Sequence, residues 1–213
     1  MIKLIDAKSI YEGREEDNKN VEKIFSISSK KEIGTVVFDN PKNIKQSLTK
    51  SLKTTWSNTS PNERSEILNK IADNIEEEPY ELIYFLINEA GKTIQNAIDE
   101  IREAVDFLRY YSNQILKISD ASDLEGPTGE ENLITYTSKG RFLCISPWNF
   151  PVAILIGQIS AALACGNKVI VKPSEHTSIL GYLVVKKFHE LGIPKDACLL
   201  YTSDAADDAI CVG

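Results

Sequence analysis

The stretch that most constrains the fold is residues 140–175, which read GRFLCISPWNFPVAILIGQISAALACGNKVIVKPSE. Apolar runs at 142–145 and 169–171 have the length and the β-branched content of buried strands. Between them, residues 152–165 are apolar and long enough for a helix, and Pro151 suits its first turn. Two strands joined by a helix of this length predict a right-handed parallel unit.

Two polar clusters follow the two predicted strands. Residues 146–151 (SPWNFP) come after the first strand, and residues 172–175 (KPSE) come after the second. Parallel sheets bind their ligands in the crevice at the carboxyl ends of their strands. The sequence therefore predicts an α/β fold with a parallel, Rossmann-type sheet whose functional groups gather at one edge, although the usual GxGxxG fingerprint is not present.

Two long motifs resemble one known family. ISPWNFP followed by ALACGNKVIVKPSE resembles the aldehyde dehydrogenase superfamily in order and spacing. EAGKT followed by NAIDEIREAVDFLRYY is similar to the N-terminal helices of its L-glutamate γ-semialdehyde (1-pyrroline-5-carboxylate) dehydrogenase branch, most like the dehydrogenase domain of bifunctional proline utilization A. The resemblance implies an enzyme of proline catabolism that oxidises L-glutamate γ-semialdehyde, a small-molecule aldehyde, to L-glutamate.

The resemblance also implies a catalytic role for Asn149. In this family a cysteine thiolate attacks the aldehyde carbonyl, hydride leaves to the nicotinamide, and water hydrolyses the thioester. The side-chain amide of Asn149, which matches the asparagine of the PWN turn, would donate to the oxyanion of the tetrahedral intermediate. The alternative is that Asn149 only stabilises a tight turn.

The cofactor that the resemblance implies is NAD. Lys172 and Glu175 match the family's ligands of the adenosine ribose, and a carboxylate at Glu175 would repel the extra phosphate of NADP. The other implied cofactor contacts lie at the same two strand ends and are Ile145, Ser146, Pro147, Trp148 and Ser174.

Two residues are implied candidates for substrate binding. Phe150 follows the oxyanion asparagine and would line the aldehyde channel, and Glu103 would be the helix glutamate that faces the aldehyde pocket in this branch. The alternative for Glu103 is a solvated surface. The same solvated face of the predicted helix 92–116 carries Asp99, Glu100, Arg102 and Asp106. Gly91-Lys92-Thr93 lacks the earlier glycine of a phosphate loop, since Leu86 stands there.

The rest of the chain divides into three predicted parts. Residues 1–45 form an irregular N-terminal extension with one weak strand at 35–38. Residues 46–197 form a partial aldehyde dehydrogenase domain: helical over 46–117, a loop and strand over 118–139, and the NAD-binding part over 140–197. Helix signals within it are an apolar stripe over 43–58, the SPNE capping box at 60–63, and Thr177 or Ser178 as the cap of the second crossover helix.

Residues 198–213 are predicted to be a tail that does not belong to the gene. CLLYTSDAADD agrees residue by residue with one reading frame of a transposase adapter used in sequencing libraries. We therefore expect an N-terminal fragment that lacks the downstream cysteine nucleophile and general-base glutamate of the family. Such a chain is expected to be inactive, so a non-catalytic nucleotide-binding or interaction module, or a fragment of another semialdehyde dehydrogenase, stay open as alternatives.

Composition adds limits on partners and compartment. The net charge of −7 over 213 residues argues against a nucleic-acid surface, and no apolar run approaches the length needed to cross a bilayer. The four cysteines show no CxxC pair and no histidine at metal-ligand spacing, so no metal site is predicted. We expect a cytoplasmic protein with reduced thiols, and a homo-oligomer at full length.

Overall fold

The structure is a computed structural model that describes residues 4–39 apart from 12, 16 and 18, together with 55–119 and 123–202. Its helices are α1 (Pro61–Glu77), α2 (Tyr80–Asn88), α3 (Ile94–Ser119), α4 (Ala153–Ala164) and α5 (Ser178–Leu191). Its strands are β1 (Ile5–Ala7), β2 (Ile10–Tyr11), β3 (Arg14–Glu15), β4 (Val21–Phe25), β5 (Glu32–Val37), β6 (Asp123–Leu124), β7 (Asn132–Leu133), β8 (Arg141–Ile145), β9 (Lys168–Lys172) and β10 (Cys198–Leu200). Among these helices, none has both the length and the apolar character to span a membrane.

The main sheet has five strands in the order β3-β2-β10-β9-β8. Strands β8, β9 and β10 are parallel, and the helices α4 and α5 connect them in turn. The register pairs Ile145 with Lys172 and Val171 with Leu200. The α/β fold and its strand–helix–strand–helix unit are therefore confirmed, with helix and strand bounds within a residue or two of the predicted ones.

The N-terminal segment is more ordered than the sequence predicts. Strands β1, β5 and β4 form a three-stranded sheet, and β2 pairs antiparallel with β10 to extend the main sheet. The strand predicted at 35–38 overlaps β5 over residues 35–37 and is confirmed, but irregular structure for the described residues of 1–45 is wrong. These strands are only two to six residues long, and some of their pairings are distant, as that of Ile10 with Leu200 is, so they leave little local signal.

The predicted tail begins with the three residues of β10, which are all buried. Just beyond them, the Thr202 hydroxyl donates to the Val37 carbonyl at 2.7 Å and lies 2.9 Å from the Ser9 hydroxyl. An apolar triplet can fill a sheet position whatever the source of its codons, so the adapter origin stays a prediction. Residues 203–213 lie outside the described part of the chain.

The 3-10 turn Trp56–Asn58 and the helices α1, α2 and α3 form the helical layer that precedes the parallel strands. Its first long helix begins as the sequence predicts. Ser60 and Glu63 form a reciprocal capping box at the start of α1: the Ser60 hydroxyl accepts from the Glu63 N–H, and the Glu63 carboxylate accepts from the Ser60 N–H. Most of the stripe predicted over 43–58 lies outside the described residues. Trp56, its last member, is buried in a single 3-10 turn, Trp56–Asn58. The loop and strand predicted over 118–139 contain the small hairpin of β6 and β7.

Two side chains of this layer hold the C-terminal end of α4. The Trp56 indole N–H donates to the Leu163 carbonyl at 2.9 Å, and Arg64 Nε donates to the Ala164 carbonyl at 2.8 Å. Arg64 also donates to the Thr59 carbonyl. Because the last carbonyls of a helix lack intrahelical donors and carry partial negative charge, a buried guanidinium is a well-matched partner for them.

We expect Arg64→Met to lower the free energy of unfolding by about 2 kcal/mol or more, because it leaves the buried carbonyl of Ala164 and the partly buried carbonyl of Thr59 without this donor. Urea or thermal unfolding of the purified chain measures the loss. Arg102→Met is the matched control, since the Arg102 side chain is 74% exposed and its nearest contact to Asp99 spans 3.9 Å. That variant should change stability by less than about 0.5 kcal/mol, and equal losses in both variants would contradict the assignment.

Candidate functional site

The pairing of β8 with β9 brings the two predicted polar clusters together. One residue beyond the Ile145–Lys172 pair, the Ser146 N–H donates to the Lys172 carbonyl at 3.1 Å. The SPWNFP turn and the KPSE segment therefore leave the sheet side by side, as expected for parallel strands. Gln158 of α4 also donates to the Ile145 carbonyl at 3.1 Å, which ties the crossover helix to the same strand end.

Most side chains predicted to bind the cofactor or the substrate are accessible at this edge. Exposed ones are Ile145, Trp148, Asn149 and Phe150; partly buried ones are Pro147, Lys172, Ser174 and Glu175. Ser146 is the buried member, and its hydroxyl oxygen has no hydrogen-bond partner among the described residues. The edge thus combines an accessible surface with a buried polar atom that a ligand could satisfy.

A cleft of about 710 Å³ adjoins both strand ends. Trp148 and Glu175 line it from the main sheet, while Phe25 and Phe38 line it from the N-terminal segment. The ring of His176 lies 3.5 Å from the Glu175 carboxylate at the same place. The N-terminal segment, which the sequence places outside the domain, therefore forms one wall beside two predicted cofactor residues.

The first N–H groups of α5 are capped by the Glu89 carboxylate, not by the side chain of the predicted Thr177 or Ser178. The Glu89 carboxylate accepts from the N–H groups of Ile179 and Leu180 at 2.8 and 3.0 Å. The Thr177 hydroxyl makes no capping bond, and the Ser178 hydroxyl donates to carbonyls of the preceding turn. The local sequence suggests a serine or threonine cap, but the helix begins against the helical layer, where a carboxylate is within reach. Thr177 is therefore confirmed as the N-cap residue, but the predicted capping bond from its side chain is wrong.

Burial makes the carboxyl group of Glu89 a weaker acid than an exposed glutamate. Its carboxyl group is 4% exposed, and desolvation raises its pKa to about 8, while the two backbone donors act in the opposite direction. Glu89 also lines the cleft beside Trp148 and Glu175. The group that holds the start of α5 is therefore one whose charge changes near neutral pH.

Glu100 caps α4 in the same way, which corrects the predicted solvated position of this residue. Its Oε1 accepts from the N–H groups of Val152 and Ala153 at 2.8 and 3.1 Å, and its Oε2 lies 2.5 Å from Lys92 Nζ. One signal in the sequence points to this burial. Glu100 stands three residues after Ala97 and four before Ala104, so helical spacing places it within the apolar stripe rather than opposite to it.

Glu103 lies one turn further along α3 and is exposed. It shares this helix with Glu100, whose partner Lys92 lies 4.2 Å from the centre of the Phe150 ring. Phe150 is therefore connected through Lys92 and Glu100 to α3, the helix that carries Glu103. Neither Lys92 nor Glu100 was predicted to belong to the site, because a salt bridge between two elements leaves no short motif.

The cysteines of the described residues include two deeply buried thiols. Desolvation raises the pKa of Cys144 to about 11 and raises that of Cys198 still further. Both side chains are therefore protonated at neutral pH, which is the opposite of an activated nucleophile. Cys165 is exposed at the end of α4.

The comparisons with known proteins agree with this geometry. The sequence pattern described as "Aldehyde dehydrogenase family" matches residues 14–211, a range that extends on both sides of the predicted 46–197 domain. The chain is 46% identical over 139 residues to the bifunctional protein PutA of Salmonella typhimurium, covering 65% of this chain and 10% of that protein. It is 40% identical over 140 residues to the 1-pyrroline-5-carboxylate dehydrogenase of Geobacillus kaustophilus, covering 66% of this chain and 27% of that protein.

A solved structure of a 1-pyrroline-5-carboxylate dehydrogenase has a similar fold. The 1-pyrroline-5-carboxylate dehydrogenase from Thermus with bound NAD superposes with a TM-score of 0.87 at 30% sequence identity, over 95% of this chain and 40% of that one. The chain spans between about a tenth and about a quarter of the length of the curated relatives that it matches.

The raised pKa of Glu89 predicts a dependence of stability on pH. The folded chain holds this proton up to about pH 8, whereas the unfolded chain releases it near 4.5. The contribution of this group to stability is thus fully present below about pH 4.5 and is lost as the pH rises to about 8. Between pH 5 and pH 8 we expect the wild-type chain to lose about 1 kcal/mol or more relative to Glu89→Gln, since each pKa unit corresponds to about 1.4 kcal/mol.

Urea unfolding at several pH values measures this difference. The compared quantity is the slope of the free energy of unfolding against pH. A constant change in stability caused by the new amide does not affect this slope. Glu103→Gln, which alters an exposed glutamate, is the control and should give the wild-type slope. A Glu89→Gln chain whose stability runs parallel to the wild type would show that Glu89 keeps an ordinary pKa.

Proposed function

The chain belongs to the aldehyde dehydrogenase family, and we propose that it contributes the oxyanion turn and part of the NAD site to an enzyme that oxidises L-glutamate γ-semialdehyde to L-glutamate in proline catabolism. The observation that carries this proposal is the pairing of β8 with β9, which sets the SPWNFP turn beside the KPSE segment. The relatives named 1-pyrroline-5-carboxylate dehydrogenase and PutA support the choice of substrate.

The residues at the strand ends fit NAD. Ser146 carries a buried hydroxyl that has no partner among the described residues, and Lys172 and Glu175 are partly exposed beside it. Lys172 would donate to the ribose hydroxyls, and Glu175 would accept from them. The other proposed contacts are Ile145, Pro147, Trp148 and Ser174. NAD, when bound, accepts the hydride that leaves the substrate.

Asn149 is proposed to stabilise the negative charge that develops on the carbonyl oxygen. Its side chain is exposed in the turn between β8 and α4, where its amide can donate to a bound substrate. Removing one such donor typically lowers turnover by about 100- to 1,000-fold. Phe150 would line the aldehyde channel and Glu103 would face the aldehyde from α3.

The proposed enzyme needs a nucleophile beyond the described cysteines. Cys144 and Cys198 are buried thiols with raised pKa values, so neither can serve as the thiolate. Cys165 is exposed, but it lies at the C-terminal end of α4, at the opposite end of that helix from the SPWNFP turn. We therefore propose that the 213-residue chain binds NAD without oxidising an aldehyde. We also propose a homo-oligomeric, cytoplasmic enzyme at full length, in keeping with the acidic composition and the unpaired thiols of the described residues.

The test of this proposal is cofactor binding to the purified chain, measured by isothermal titration calorimetry. We expect saturable binding of NAD. The affinity for NADP should be lower by at least about tenfold, because Glu175 repels the additional phosphate. Glu175→Gln should lower the affinity for NAD by about tenfold, in line with the loss of a hydrogen bond to a charged group. The same substitution should reduce the ratio between the affinities for NAD and NADP.

Glu103→Gln is the control for this experiment, since an exposed glutamate on α3 is assigned to the substrate and not to NAD. It should leave both affinities unchanged. Equal binding of NAD and NADP by the wild-type chain, or no binding of either, would overturn the cofactor assignment. Oxidation of the semialdehyde by the chain alone would overturn the proposal that its nucleophile lies elsewhere.

A further inference from the structure

The turn that carries Asn149 is held from the helical layer by a buried carboxylate. Glu100 has a fully buried side chain, and its Oε1 accepts from the N–H groups of Val152 and Ala153 at 2.8 and 3.1 Å. Those two residues follow Asn149 by three and four positions, at the start of α4. The exit of the turn is therefore fixed to α3 and not only to its own helix.

Lys92 reaches the same turn at a second point. Its ammonium nitrogen lies 2.5 Å from Glu100 Oε2 and 4.2 Å from the centre of the Phe150 ring. Only 12% of the Lys92 side chain is exposed, so both interactions are largely shielded from water. A cation over an aromatic face is attractive, and more so where water is excluded.

We propose that Lys92 and Glu100 are positioning residues that fix the orientation of the Asn149 side chain. Phe150 on one side of the turn contacts Lys92, and Val152 beyond it contacts Glu100, so the pair restrains the segment that follows Asn149 at two places. This proposal rests on the proposed role of Asn149 as the oxyanion donor. An oxyanion donor acts only when it is held near its working geometry, and a displacement of about 1 Å can cost roughly 100-fold in rate.

The two charges depend on each other. A buried carboxylate is tolerated only when its charge is compensated. Glu100 Oε1 accepts from two backbone N–H groups, whereas Oε2 forms an ion pair with the Lys92 ammonium at 2.5 Å and has no well-aligned hydrogen bond among the described residues. The N-terminus of α4 favours a negative group at this position as well. Removal of the Lys92 charge should therefore loosen the bonds of Glu100 to Val152 and Ala153, and through them the turn.

The experiment is amide hydrogen exchange, read by nuclear magnetic resonance on the full 213-residue chain. In Lys92→Met we expect the amides of Val152 and Ala153 to exchange about tenfold faster or more, because their acceptor has lost its partner. The side-chain amide signal of Asn149 should shift in the same variant. The amides of Ile179 and Leu180 are an internal control, since Glu89 holds them in the same manner on α5.

Two further variants separate positioning from a general loss of stability. Lys92→Arg keeps the cation and should retain the slow exchange of Val152 and Ala153. Glu100→Gln, which keeps a carbonyl acceptor but not the charge, should accelerate exchange at those two amides. Glu89→Gln is the reciprocal control, because it should accelerate Ile179 and Leu180 and leave Val152 and Ala153 unchanged.

Unchanged exchange at Val152 and Ala153 in Lys92→Met, or equal acceleration at all four amides, would overturn the positioning role. An Asn149 side-chain signal that stays at its wild-type position would do the same. These measurements need neither NAD nor aldehyde. The positioning proposal can therefore fail while the NAD titration succeeds, and the titration can fail while Lys92 and Glu100 are shown to hold the turn.

Discussion

The two crossover helices of the parallel sheet begin inside the molecule, so their first backbone N–H groups need buried acceptors. Glu100 serves α4 and Glu89 serves α5, and both come from the helical layer that precedes the sheet. The same layer sends Arg64 and Trp56 to the other end of α4. Because unpaired polar groups in these places would be costly, these contacts favour the observed position of the crossover helices against the helical layer.

This arrangement bears on how a dinucleotide could bind. In the usual Rossmann arrangement the pyrophosphate lies at the N-terminus of the first crossover helix, next to a glycine-rich turn. In this chain the Glu100 carboxylate already accepts from the N–H groups of Val152 and Ala153 at that end of α4, so these two donors are not available to a phosphate. The sequence that lacks GxGxxG therefore also lacks free N–H groups at Val152 and Ala153, where such a motif would place a pyrophosphate. The proposed NAD would depend on the ribose ligands Lys172 and Glu175 and on the wall from Ile145 to Trp148.

Local patterns predicted the parts of the fold whose signals are local. The strand–helix–strand unit and the SPNE capping box depend on neighbours within a few residues, and the structure contains both. The pairing of β1 with β5, the pairing of β2 with β10 and the cap of α5 depend instead on partners far away in the chain. Ile10 pairs with Leu200, and Glu89 binds Ile179 across 90 residues. No pattern within one segment contains such information.

The helix α3 carries both a site residue that the sequence indicates and one that depends on a distant partner. The family resemblance assigns a function to Glu103, whereas the structure leaves Glu103 exposed and buries Glu100 one turn earlier. The apolar spacing of Ala97, Glu100 and Ala104 could have revealed that Glu100 faces inward, but its backbone partner Val152 lies in a distant segment of the chain. Neighbouring carboxylates on α3 therefore suit different tasks: Glu103 is accessible to a substrate, and Glu100 is committed to holding the turn where that substrate would react.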